Sequence, residues 1–299
     1  MRAIGERARV EAGRGRASTR EPLGELAPAM FEDETPYVTG EYTPTRAERE
    51  LAWGVGIGLQ RIDGLEPSRY AQTLITGQIN GKYSYREVEN SLLRYYSHGD
   101  GRDAPRVAVE ADITATRISQ IISEPGFTLS PGSLMAIHGR IFEGVFEDRR
   151  WAGTYRTAPK LSKAEPVLGG ETVNYTPGSE VRATLRWEFD EERNLDFHPN
   201  NDDDAVTHVL GFTSRIWQVH PFWEANTRAI STYAIKYLKN LGVNIGNGPF
   251  VNSSPYFRDA LVLDNAPVRL RDREPLKLFG KATLDPTIEL PDLRRKYPR

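Results

Sequence analysis

Apolar residues recur at helical spacing along much of this chain, and two such runs meet at a short polar turn. Ile230, Tyr233, Ala234, Tyr237, Leu238 and Leu241 fall at i, i+3, i+4, i+7, i+8 and i+11. This spacing predicts an amphipathic helix, with Gly242 at its expected stop. Just upstream, Val206, Val209, Leu210, Thr213, Ile216 and Trp217 predict a second one. A third pattern runs from Glu48 to Tyr96 and includes Leu51, Val55, Leu59 and Ile62; Asp63-Gly64-Leu65-Glu66-Pro67 breaks it. Strand-like runs flank Gly169-Gly170, a dipeptide suited to a hairpin turn. The pattern predicts an all-α fold carrying one β-hairpin.

The turn between the first two helices is His220-Pro221-Phe222-Trp223-Glu224-Ala225-Asn226-Thr227-Arg228. It lies at a helix N-terminus, where free amides and the helix dipole favour phosphate. His220 has a pKa range suited to taking a proton from an attacking hydroxyl. Glu224 is a hard oxygen ligand suited to a magnesium ion that bridges phosphates. The amides of Ala225, Asn226 and Thr227 can line an anion hole, and Arg228 can neutralise outer phosphates in bidentate fashion. Together these residue types describe attack by a hydroxyl on a nucleotide phosphorus, with positioning and electrostatics supplying most of the catalysis.

This segment resembles the Fic family motif His-x-Phe-x-Asp/Glu-Gly-Asn-Gly-Arg-x-x-Arg. It matches at His220, Phe222, Glu224, Asn226 and Arg228 and departs at Ala225, Thr227 and Ser231. The resemblance implies a Fic-type helical core and transfer of AMP from ATP, with Mg2+, to a hydroxyl side chain of a target protein. Ala225 adds a methyl where the family has Gly, and Ser231 removes the cation that grips the far phosphate in the family. Sequences with Ala-Asn in this turn resemble a branch that moves phosphate or phosphocholine, so the transferred group stays open. A non-catalytic scaffold that binds a nucleotide or a partner is the rival reading.

The likeness extends to Ile137–Phe146 and Trp151–Arg156, which resemble the lead-in to the Fic core. In the family a hairpin placed like the one around Gly169-Gly170 is a flap that pairs with the target backbone as an added strand. This assigns target docking to Lys163, Ala164, Glu165 and Val167. Asn252 and Tyr256 fall by resemblance near the nucleotide base or ribose. Leu59-Gln60-Arg61-Ile62-Asp63-Gly64 resembles the inhibitory helix pattern Ser/Thr-x-x-x-Glu-Gly/Asn, with Leu59 for the Ser/Thr, Asp63 for the Glu and Gly64 closing it. In the family that Glu pairs with the motif's last Arg. Here Ser231 supplies no cation, so the expected partner is Arg228.

Composition narrows the picture. A length of 299 residues allows one large or two small domains. A net charge of −2 gives no global field for nucleic acid or an anionic membrane. With no cysteine, disulfides and thiol nucleophiles are excluded. No apolar run reaches membrane length, and the Arg-rich start lacks the apolar core of a secretory signal. A cytoplasmic location is expected, the resemblance implies a bacterial protein, and delivery into another cell stays open. His138 reads as a packing residue, and Asp202-Asp203-Asp204 as a helix start. The expected divisions are a mobile tail (1–36), a regulatory helical region (37–105), a catalytic core (106–270) and an irregular C-terminal extension (271–299). The expected partners are a nucleotide and a hydroxyl-bearing target protein, with homo-oligomerisation left open.

Overall fold

The computed structural model describes residues 43–296 apart from 244, 246 and 247. The predicted tail, 1–36, and most of the Asn244–Gly248 loop lie outside the described residues. The chain runs α1 (Arg46–Gln60), α2 (Arg69–Ile79), α3 (Tyr85–His98), α4 (Arg106–Ser123), α5 (Pro131–Phe142), α6 (Val181–Asn194), α7 (Asp202–Val219), α8 (Asn226–Asn240), α9 (Gly248–Asn252), α10 (Ser254–Asp264), α11 (Glu274–Leu284) and α12 (Leu293–Lys296).

Local chemistry sets the helix ends. Thr45 with Glu48 and Ser84 with Glu87 form capping boxes that start α1 and α3. Asn201 caps α7 through the Asp204 amide, and three acidic residues fill the first turn where the dipole favours them. At the end of α8 the Val243 amide reaches Leu238 O and the Gly242 amide reaches Lys239 O, at 3.0 and 3.1 Å. With Gly242 at φ 81° this is a Schellman closure, where the sequence predicts the stop.

Helix α8 is the axis of the molecule. Every residue from Asn226 to Leu238 is buried, with α4, α5, α7 and α1 packed around it. Its apolar residues join a core that includes Phe189, Phe212, Trp217, Phe222, Phe257 and Phe279. A second, smaller core forms where Trp53, Ala71, Leu74, Ile75, Tyr85, Val88 and Leu92 meet Ile113 and Ala115 of α4. Helix α1 faces both, giving Trp53 to the smaller core and Ala52, Val55 and Leu59 to the larger. The N-terminal region is therefore built onto the core along α1 and α4. A Cβ on Gly58 would meet the Phe250 and Val251 backbone, so glycine there lets α1 approach α9.

Two expectations are corrected. The segment around Gly169-Gly170 forms no strand ladder. Pro166–Leu168 is a 3-10 turn closed by hydrogen bonds from the Glu165 amide to Glu171 O and from the Gly170 amide to Glu165 O, both 3.0 Å. Val167, Leu168 and Val173 point into the core, so the run folds inward as a compact turn and not outward as a ribbon. The C-terminal stretch is not wholly irregular either. Helix α11 buries Leu276, Phe279 and Ala282 and packs on α7 and α10. Its prolines lie at its first turn and beyond its end, where they are compatible with a helix. No described helix is long and apolar enough to cross a membrane.

Candidate active site

His220 ends α7 in the left-handed region, φ 51° and ψ 60°, with its amide donating to Trp217 O at 3.0 Å. This conformation costs a non-glycine residue about 1 kcal/mol, so the surroundings must hold it. Arg156 does so. Its guanidinium is buried and donates to His220 O at 2.7 Å, to Val219 O and Ala158 O at 3.2 Å, and to Thr176 O. A cation on the last carbonyls of a helix also complements its dipole. The imidazole is wedged between the Tyr175 and Trp217 rings, at 4.5 and 5.7 Å between centroids. Burial, and then the cations Lys163, Arg156 and Arg258, hold its pKa well below the usual histidine value. The ring is thus neutral, and it becomes an effective base only when a bound anion offsets the neighbouring cations.

The turn from His220 to α8 is rigid. The Asn226 side chain takes the Phe222 amide on Oδ1 and donates from Nδ2 to Phe222 O, both at 2.8 Å. Thr227 Oγ1 accepts from the Trp217 indole at 2.9 Å. His138 stacks on Phe222 at 3.8 Å, accepts the Gly153 amide on Nδ1 at 3.0 Å, and sets Nε2 3.2 Å from Glu224 O. With Nδ1 accepting, Nε2 carries the proton and donates to that carbonyl. The Asn226 and Thr227 side chains are therefore committed to the protein, and only their backbone amides can face an anion. Ala225 precedes the helix with φ 55° and ψ 27° and gives the first amides no side-chain cap. The glycine that the motif has at this place is explained by the positive φ, and the added methyl is carried as strain.

Arg228 is 3% exposed and fully engaged. Its Nη2 donates to Glu110 at 2.6 Å, and Nη1 donates to Gln60 Oε1 at 3.0 Å and more weakly to Thr114 Oγ1 at 3.4 Å. Its Nε lies 2.9 Å from Asp63 Oδ2 with the N–H off the line, so that contact is an ion pair and not an aligned hydrogen bond. The Phe142 ring covers the guanidinium at 4.9 Å. Asp63 is placed by a second Schellman closure. The Leu65 amide reaches Gln60 O and the Gly64 amide reaches Arg61 O, both at 3.1 Å, with Gly64 at φ 69°. The pairing of Asp63 with Arg228 anticipated from the sequence is present. Leu59 is a core residue at 0% exposure. Ser231 is wholly buried, and its hydroxyl has no partner among the described residues.

Glu224 sits at the edge of this cluster, half-buried. Burial raises its pKa, Asp63 and Glu110 add to the rise, and Lys163 and Arg228 oppose it. No group of three or more His, Asp or Glu among the described residues is arranged to hold a metal ion.

The residues assigned to target docking divide. Lys163 turns inward, its Nζ 2.8 Å from His220 Nε2. Glu165 is fully buried, accepting from Arg258 at 2.7 Å and from the Tyr175 hydroxyl at 3.0 Å. Val167 is a core residue. Of the four, Ala164 alone is exposed. Nothing in sequence spacing signals the Lys163–His220 contact, which joins residues 57 apart. Arg156 is equally silent in the sequence.

The nucleoside assignments also divide. Tyr256 gives its hydroxyl to Pro275 O at 3.1 Å and stacks on Phe279, so its ring belongs to the α10–α11 packing. Asn252 is exposed and lines a groove of about 380 Å³ against Pro286, Ile288 and Leu290. The structure brings together His220, Glu224, the α8 N-terminus, Arg228, Asp63 and Lys163. It does not bring Tyr256 to them as a free ring.

No family model matches the chain, and no curated protein matches it. Among solved structures it is similar to BepC, a VirB-translocated Bartonella effector protein from Bartonella tribocorum with bound AMPPNP. The two share 14% identity over 63% of this chain and 89% of that chain, with a TM-score of 0.47. A likeness at that level assigns neither a family nor an activity.

Proposed function

We propose that the chain is a Fic-type transferase held in an occluded ground state. In this reading His220 takes the proton of a target hydroxyl as that oxygen attacks a nucleotide phosphorus. The phosphates lie at the uncapped start of α8, whose first amides lack intrahelical partners, and Arg228 takes up their charge. Glu224 would hold Mg2+, which would supply neutralisation of phosphate charge. The observation that carries the reading is the combination in one turn of a neutral buried base, a half-buried carboxylate not paired with Arg228 and a buried guanidinium at a helix start.

Occlusion has two components. Asp63 and Glu110 occupy the guanidinium of Arg228, and Lys163 occupies Nε2 of His220. A phosphate must displace the first, and an acceptor hydroxyl must displace the second. AMP from ATP is the group we assign. The buried, uncharged Ser231 favours a second reading in which the donor carries a smaller grip on its far end and the group is phosphate or phosphocholine. The target is a protein with a hydroxyl side chain, docked beside the exposed edge at Ser162, Ala164 and Pro166. The test is intact mass after incubation with Mg2+, a donor panel and candidate targets, beside His220→Ala. A His220-dependent gain equal to one AMP supports the assignment, a different gain names another donor, and no gain with any donor rejects the transferase.

A further inference from the structure

Lys163 is aimed, not left as a solvated surface lysine. Its backbone amide donates to Thr172 Oγ1 at 3.0 Å, and two residues on, Glu165 is tied to Arg258 and Tyr175. Between these anchors the Nζ reaches 2.8 Å from His220 Nε2, the distance at which an acceptor hands its proton to a general base. His220 Nδ1 is buried with no partner, so no hydrogen bond fixes the ring in the tautomer that would deny Nε2 a lone pair. We propose that Lys163 is itself an acceptor, so that the site transfers its group to the Lys163 Nζ and leaves a phosphoramidate on the protein's own chain.

This inference rests on the transferase reading above. The step needs one further reactant, a nucleoside triphosphate. The Nζ–P bond forms as the α-phosphorus loses its bond to the pyrophosphate oxygen, which leaves with the electron pair. A proton of Nζ passes to His220 Nε2. The amine must enter as the free base. Burial first, and then Arg258, lower the Lys163 pKa towards that state, while Glu224, Glu165 and Asp63 oppose them. A modified Lys163 still lies over His220, so the transfer caps the site after one group per chain and competes with any protein target.

The experiment uses the full chain, as wild type and as Asp63→Ala, with ATP and Mg2+, followed by peptide mapping. The expected result is one added group on the peptide that contains Lys163. It is lost in mild acid and kept in alkali, as a P–N bond requires, and is absent from His220→Ala and Lys163→Arg. An acid-stable group on Ser, Thr or Tyr with Lys163 unmodified overturns the inference and leaves the transferase reading standing. No label on any residue overturns the inference alone, because the transferase reading is decided by the donor panel with candidate targets. A second readout needs no turnover. The His220 Nε2 nitrogen chemical shift should change in Lys163→Met at fixed pH, and an unchanged shift would remove the contact on which the inference stands.

Discussion

Replacing Asp63 with Ala isolates the lock on Arg228. The guanidinium is nearly inaccessible, whereas the Asp63 side chain is 45% exposed, so solvent screens the pair and its strength lies near the surface end of the range. Glu110 and Gln60 remain to hold the cation, so its burial is not left uncompensated. Loss of the Asp63 contact then costs the fold about 1 kcal/mol. If a nucleotide phosphate must displace that carboxylate, the same energy returns as affinity, about 5-fold in Kd because 1.4 kcal/mol is tenfold. Calorimetric titration of ATP with Mg2+ into wild type and Asp63→Ala reads this directly, and Asp63→Asn, which keeps the shape, should follow Ala. Equal affinities for all three, with folding intact, would refute the lock.

Three further outcomes follow from the geometry. Ala225→Gly removes a left-handed strain while losing a half-buried methyl, and should stabilise the fold by about 0.5 kcal/mol in urea titration; destabilisation would contradict the strain. Glu165→Gln leaves Arg258 with Asp259 alone in a buried setting and should cost about 3 kcal/mol by the same assay. His138 is held neutral, its pKa lowered by burial to about 3, while an unfolded histidine titrates near 6.5. The unfolded state therefore binds more protons between those values. Stability should be complete above about pH 6.5 and fall as pH drops towards about 3, by up to about 5 kcal/mol for this residue. His220 acts in the same direction. His138→Gln should flatten the slope measured by denaturant titration between pH 7 and 5, and an unchanged slope would contradict the assignment.

Periodic helices were legible because their apolar faces repeat at 3.6 residues and their ends carry caps. Helix α8, its stop at Gly242, α7 with its acidic start, and the break after Asp63 all stand where pattern and caps place them. The compact turn at 165–171 was not legible, since inward-facing Val167 and Leu168 read equally as strand residues. Helix α11 was masked by flanking prolines that in fact suit its ends. At the site, the local turn was readable because its members are neighbours in sequence. The roles of Arg156, Glu110 and Lys163 were not, because each depends on contacts between residues 57 to 118 apart. The same holds for Glu165, whose partner Arg258 lies 93 residues on.

The most direct test of the account uses ATP labelled on either the α- or the γ-phosphate, given with Mg2+ and a candidate target to the Asp63→Ala chain, with His220 intact or replaced by Ala. The account predicts covalent protein label from the α position, faster than in wild type and abolished without His220. Label from the γ position alone would replace AMP with phosphate as the transferred group. Label that persists without His220 would contradict the central claim that this turn is a transferase site, and no label in any variant would contradict ATP as its donor.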